Sequence, residues 1–363
     1  MQQSNTEEKS RPFFSIIIPC YNSKPEHIRT LLSSIEKQYM NEDIEVIISN
    51  DRSTDTSFMD TISEFTDLNI TCVTVPDYLD DEEHTQLIRC PGNTREVGVS
   101  IATGEWITFV DHDDELIPNT FKQIRDEIIN QNIEYIASCN FYEVNPYAND
   151  EILNEFVHTG NWMHGKFYNL DNFWKAKNFH YKLNLRTHED IYISSKTICE
   201  LHRLNMASPV YIELFCLKWK AWDDSTSRLL YAKRGFLEQF FNDYAESTIG
   251  YYIDDYIYSI NELQDKTEEN VYDHLRSCID VIMHMYFYIQ GFHFQRPSDY
   301  LLENDVLAKN YIRTVCGLFG IDTDFIYKCV LENNAQWYNN IRKSAMIGSG
   351  TFVESCTFYD FLH

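Results

Sequence analysis

The run SIIIPC at residues 15–20 constrains this chain more than any other stretch. Side chains alternate between the two faces of a strand, so three successive isoleucines require apolar cover on both faces, as in a central strand of a parallel sheet. Pro19 lacks an amide hydrogen and marks the point where that strand is expected to leave the ladder. Ser23 and Glu26 read as a capping box with Pro25 in the first turn, and Ile28, Leu31, Leu32 and Ile35 follow at helical spacing. IEVIISND is a second strand with a polar end; Phe58, Met59, Ile62 and Phe65 mark a helix, and NITCVTV is a third strand. PDYLDDEEHTQLIRCPGNT holds no sustained period and reads as a long acidic loop. REVGVSIATGE is a short helix ended by Gly104, WITFV a fourth strand, and residues 118–130 a helix with Phe121, Ile124 and Ile128 inside. This alternation predicts an α/β fold: a mostly parallel sheet flanked by helices.

Further strands are expected at EYIASCNFYEV and PVYIELFCLKWKAW, with THEDIYISSKTICEL between them as a loop entering a helix. Beyond about residue 228 only helical periods remain, for example Val271, Leu275, Cys278, Ile279 and Ile282. Three parts result: a polar tail over 1–12, an α/β domain over 13–228 and a helical region over 229–363. The last offers a surface for an acceptor or for self-association into a homo-oligomer.

Charge narrows the partners. Fifty-six acidic residues against 30 basic ones give a formal charge of -26, which on average repels nucleic acid and anionic membranes. No apolar stretch approaches the ~20 residues of a membrane-spanning helix, and the first residues, MQQSNTEEKSRP, lack the apolar core of a signal peptide. Ten cysteines stand singly with no C-x-x-C pair, as expected of reduced thiols in the cytoplasm.

In open α/β sheets, ligands bind beyond the carboxyl ends of the strands. Asp51 ends the second strand, and the fourth runs into Asp111, His112, Asp113 and Asp114. Carboxylates so close raise one another's cost of ionisation unless a cation is shared, and a divalent ion bridging to a diphosphate relieves that cost. A calcium loop of the EF-hand kind fails, because Leu116 stands where the sharp-turn glycine belongs and Lys122 where the bidentate Glu belongs. Taken alone, DHDD also fits a solvated turn that caps the following helix, with His112 packing or facing solvent. No Gly-Lys-Ser/Thr or Gly-x-Ser-x-Gly motif is present, so P-loop and serine-hydrolase chemistry fall away.

SIIIPCYN, IISNDRSTD, TREVGVSIATGEWITFVDHDDEL and HED occur in that order, and over residues 13–228 the chain resembles the family 2 glycosyltransferases of the GT-A fold. The resemblance implies backbone contacts to the nucleotide near Pro19, Cys20, Tyr21 and Asn22, and base recognition by Asp51. It implies Arg95 and Asp111 on the sugar or diphosphate, and Asp113 with Asp111 on manganese or magnesium. Lys166, with His164 nearby, is expected at the crevice through the segment WMHGKFY, and Ser225 and Thr226 through DDSTSR. Glu189 and Asp190 match the acceptor-side pair, with Asp190 as general base. The implied reaction is metal-dependent, inverting transfer from a nucleotide sugar, with UDP as carrier, to a glycan, a lipid-linked sugar or a protein. Two positions depart from the family pattern: Arg52 stands in place of a glycine and Glu96 in place of an asparagine. They keep open a non-catalytic binding or scaffold protein, and a sugar nucleotidyltransferase is the other alternative, although PCYNSKPEH lacks the glycine-rich loop such an enzyme needs.

Overall fold

A computed structural model describes residues 11–77, 89–159, 163–176, 193, 197 and 209–223. The expected helical region 229–363, the pair Glu189 and Asp190, and Ser225 and Thr226 lie outside the described residues.

The described elements run β1 (Phe14–Cys20), α1 (Pro25–Glu36), β2 (Ile44–Asn50), α2 (Phe58–Ile62), β3 (Asn69–Thr74), α3 (Pro91–Ile101), β4 (Trp106–Phe109), β5 (Glu115–Leu116), α4 (Thr120–Asn130), β6 (Ile136–Asn145), β7 (Glu151–Phe156), β8 (Lys166–Asn169), α5 (Leu170–Ala176) and β9 (Val210–Lys220). The strands form one sheet in the order β3-β2-β1-β4-β8-β6-β9-β5, with β7 against β6. The long ladders β1·β2, β2·β3 and β6·β9 and the shorter β1·β4 are parallel, while β8, β7 and β5 join antiparallel. The chain moves outward from β1 to β2 and β3, then returns to place β4 on the other side of β1. That reversal opens a crevice beyond the carboxyl ends of β1 and β4.

The triple isoleucine behaves as its pattern requires, with every residue of β1 buried. Pro19 does not end the strand. The ladder to β4 stops at Ile17, while pairing to β2 continues through Pro19 and Cys20, so the missing amide costs no bond on the β4 side. Helix α3 lies close over β1 because residue 98 is glycine: a Cβ there would stand 2.5 Å from Ile17 Cγ2.

Three local expectations are corrected. The capping box does not form: Lys24 is the N-cap of α1 and makes no side-chain cap bond, leaving Pro25 in the first turn as the start signal. Helix α3 begins at Pro91, inside the stretch read as loop, because the Cys90 sulfur accepts from the Asn93 amide and caps the first turn. The same helix ends at Ile101, so Gly104 is no helix stop. Its amide donates to Ser15 Oγ at 2.8 Å, and a Cβ on it would fall 2.6 Å from the Ser15 nitrogen, so that close backbone approach is what glycine permits. Helix α4 is capped from a distance: the Gln38 side-chain oxygen accepts from the amides of Thr120 (3.0 Å) and Phe121 (3.2 Å).

Candidate active site

The ends of β1 and β2 are tied together before any ligand is considered. The Asp51 amide donates to the Cys20 carbonyl at 2.8 Å. Asn22, in the left-handed region at φ 47°, turns its side-chain oxygen to accept from the amides of Thr54 (2.9 Å) and Asp55 (3.0 Å). Asn22 is therefore the organiser of the β2–α2 turn as well as an expected pocket residue. Pro19 and Cys20 present only backbone, their side chains being buried, and burial pushes the Cys20 thiol up to about 12. Tyr21 is exposed, with the Arg89 guanidinium 5.3 Å above its ring.

Arg52 explains why a glycine is usual at its place. Its φ is 54°, a left-handed conformation that costs an ordinary residue about 1–2 kcal/mol. The guanidinium offsets that cost by reaching Asp51 Oδ1 at 3.0 Å and Asp77 Oδ1 at 3.3 Å, so the turn is kept and β2 is tied to the chain after β3. Asp51, expected to recognise the base, is buried and already paired with this side chain.

Beyond β4 the DHDD turn divides its side chains between two groups. On one side, buried Arg95 from α3 holds Asp111 Oδ1 at 2.6 Å, and His164 Nε2 lies 3.9 Å from Asp111 Oδ2. Burial pushes the Asp111 carboxyl up, but Arg95, His164 and His112 outweigh it and keep the group below the usual carboxylate range. Asp114 shares this side, and the ligand atoms of Asp111, Asp114 and His164 all lie within 4.8 Å of one another. Asp114 is 1% exposed; its Oδ1 accepts from the Lys220 amide at 3.0 Å, while Oδ2 is buried without a hydrogen-bond partner. Burial, then the charges of Asp113 and Asp111, raise its carboxyl well above the usual range.

On the other side stand His112 and Asp113, with His27 reaching in from α1; their ligand atoms also lie within 4.8 Å of one another. Asp113 thus falls in a different group from Asp111, its expected partner on the metal. The donor set on each side, imidazole with carboxylate, fits a divalent cation. A cavity of about 500 Å³ opens here, with Asp113, His27, Tyr147 and Trp222 on its walls and Lys24, Glu26, Lys220 and Asp223 around it.

Lys166 is not brought to this crevice as a solvent-facing side chain. It is fully buried on β8, its ammonium donates to the Thr159 carbonyl, and burial lowers its pKa to about 7. His27, Tyr147 and Trp222 were missed in the sequence. His27 is four residues from Leu31 and seven from Ser34 on the buried face of α1, which was the available signal. Tyr147 and Trp222 come from separate strand ends that no local pattern connects.

Residues 15–191 match the model of the family described as Glycosyl transferase family 2. An uncharacterized glycosyltransferase of Escherichia coli K12, YibD, is 29% identical over 130 residues, 35% of this chain and 33% of its own length. The poly(ribitol-phosphate) beta-glucosyltransferase of Bacillus spizizenii is 38% identical over 101 residues, 28% of this chain and 14% of its own length. The chain therefore spans about a third or less of these curated relatives. Among solved structures, S. aureus TarS 1–349 in complex with UDP-GlcNAc aligns with a TM-score of 0.57 at 17% identity, covering 93% of this chain and 92% of that one. Fold and family model agree: the sheet is of the GT-A type, and residues 15–191 carry the glycosyl transferase family 2 match.

Proposed function

We propose that this protein is an inverting glycosyltransferase that moves a sugar from a nucleoside diphosphate, UDP being the expected carrier, to an acceptor hydroxyl. The observation that carries the reading is the Arg95–Asp111 pair standing beside Asp113 at the crevice of a family 2 domain. The guanidinium fixes Asp111 as a charged acceptor for donor hydroxyls and leaves cationic character near the diphosphate. Tyr21, at the mouth beyond β1, offers a ring face to a base. The backbone of Pro19–Asn22 and the buried Asp51 are assigned to the nucleotide side of the site. Asp113 would hold a divalent metal ion; when bound, such an ion neutralises charge growing on the leaving diphosphate. Asp190, seconded by Glu189, is assigned as the base that takes the acceptor proton, and one direct displacement inverts the anomeric centre. Glycans, lipid-linked sugars and proteins are the acceptor classes to screen, and the absence of a membrane-spanning helix among the described residues leaves each open.

A panel of nucleotide sugars with manganese, read by release of nucleoside diphosphate, tests this directly. Asp113→Asn should lower release on the order of 10²-fold or more with the melting temperature unchanged. Undiminished release by that variant would remove the reading.

A further inference from the structure

We infer that His27, His112 and Asp113 form a three-ligand site for a late first-row transition ion of the zinc or cobalt type, and not for magnesium. This deepens the function proposed above by naming the class of metal at its Asp113, and it rests on that reading for what the open position faces.

Geometry comes first. The three side chains come from two elements far apart in sequence, yet their ligand atoms all lie within 4.8 Å of one another. The His27 and His112 rings stand 6.3 Å apart and tilted by 33°. Trp222 supports two of the three ligands at once. Its ring stacks on His27 at 4.4 Å, and its indole nitrogen donates to the Asp113 carbonyl at 3.2 Å. Such outer contacts fix ligand orientation in metal sites. His27 is only 8% exposed, so its place is set by packing. The cavity of about 500 Å³ touches both His27 and Asp113, which leaves room for a water or substrate oxygen in the fourth position of a catalytic-type site.

The neighbouring group is the weaker host. Asp111 there is bound to the Arg95 guanidinium at 2.6 Å, so a cation would have to displace or face a fixed positive charge. Donor chemistry then decides the metal. Two imidazoles and one carboxylate suit zinc, cobalt, nickel or copper, whereas magnesium prefers oxygen ligands and keeps its waters.

The test uses the full chain without any donor. Cobalt(II) is titrated while its visible absorption and the heat of binding are followed, and the titration is repeated with His27→Ala and His112→Asn. Wild-type protein should develop the absorption bands of nitrogen-ligated cobalt, and a large excess of magnesium should not displace the ion. Each variant should weaken binding roughly tenfold or more, since even outer-shell changes cost that much. Unchanged cobalt affinity in His112→Asn, or displacement by that excess of magnesium, overturns the site. His112→Asn decides alone if loss of the ring on Trp222 unfolds His27→Ala. Because no sugar is transferred in this measurement, its failure leaves the transferase reading standing, and hydrolysis of a nucleotide sugar supported by magnesium would show that separation.

Discussion

The two halves of the sheet solve the same packing problem with different materials. From β3 through β4, β1 and β2 are buried almost throughout and their interior is built mainly from isoleucine, valine and phenylalanine. Whereas the buried polar side chains of β1 and β2 are Ser15, Glu45 and Ser49, none of them a cation, the strands from β8 to β5 carry buried Lys166, Ser138, Asn140 and Glu143. There Lys218 and Lys220 form ion pairs with Glu115 and Asp150. The first half fixes the positions of the strand ends on which Asp51, Arg95 and Asp111 depend. The second half supplies part of the cavity wall and contains a group, Lys166, whose charge opposes folding. Precision at a site can thus rest on a mainly apolar half, while the half with the buried lysine shapes what the site admits.

The comparison is sharpened most at Lys166. An ordinary lysine titrates at 10.5, and this one is lowered to about 7 by burial. Above 10.5 both folded and unfolded chains are neutral there. As pH falls from 10.5 toward about 7 the unfolded chain gains a proton that the folded chain refuses, so stability declines across that window and levels off below it. Lys166→Met should remove this slope, which is worth on the order of 4–5 kcal/mol across the window before the lost bond to the Thr159 carbonyl is subtracted. Denaturant unfolding at pH 6 and pH 10 measures it; a variant that keeps the wild-type slope would mean that the ammonium is not the group responsible.

Next in size is the apolar half's tight join. Gly104→Val drives a Cβ toward the Ser15 and Phe14 backbone, which cannot rotate away, and should cost about 3 kcal/mol, read as a lower urea midpoint. Tolerance of valine there would show that β1 is less fixed than its burial implies. Smaller still, Arg95→Met leaves the Asp111 carboxylate without its guanidinium and should cost about 2 kcal/mol. The same variant should move the Asp111 carboxyl upward, visible by NMR titration, because burial would no longer be outweighed.

Legibility followed the same division. SIIIPC and IEVIISND announced β1 and β2 because strands buried on both faces are apolar at most positions, with only Ser15, Glu45 and Ser49 as buried polar exceptions, and the alternation of strands with helices announced the parallel order. Strand β8, only four residues long, carries a lysine, so no pattern marked it as a strand between β4 and β6. Pro91 started α3 where the acidic stretch before it suggested loop throughout. Arg52 looked like a departure from the family pattern, and only its φ and its bonds to Asp51 and Asp77 reveal how the turn survives.

The sequence by itself determined the α/β class, the family and the crowd of carboxylates after β4, because periodicity and ordered motifs are local properties of a chain. Tertiary structure alone decided that the DHDD turn splits, with Asp111 and Asp114 toward Arg95 and His164, and His112 and Asp113 toward His27. It also decided that Lys166 is enclosed. Those outcomes depend on which distant elements the sheet order brings against each side chain, and neither spacing nor composition encodes a contact between residues 27 and 113, or between 159 and 166, until the fold has closed around them.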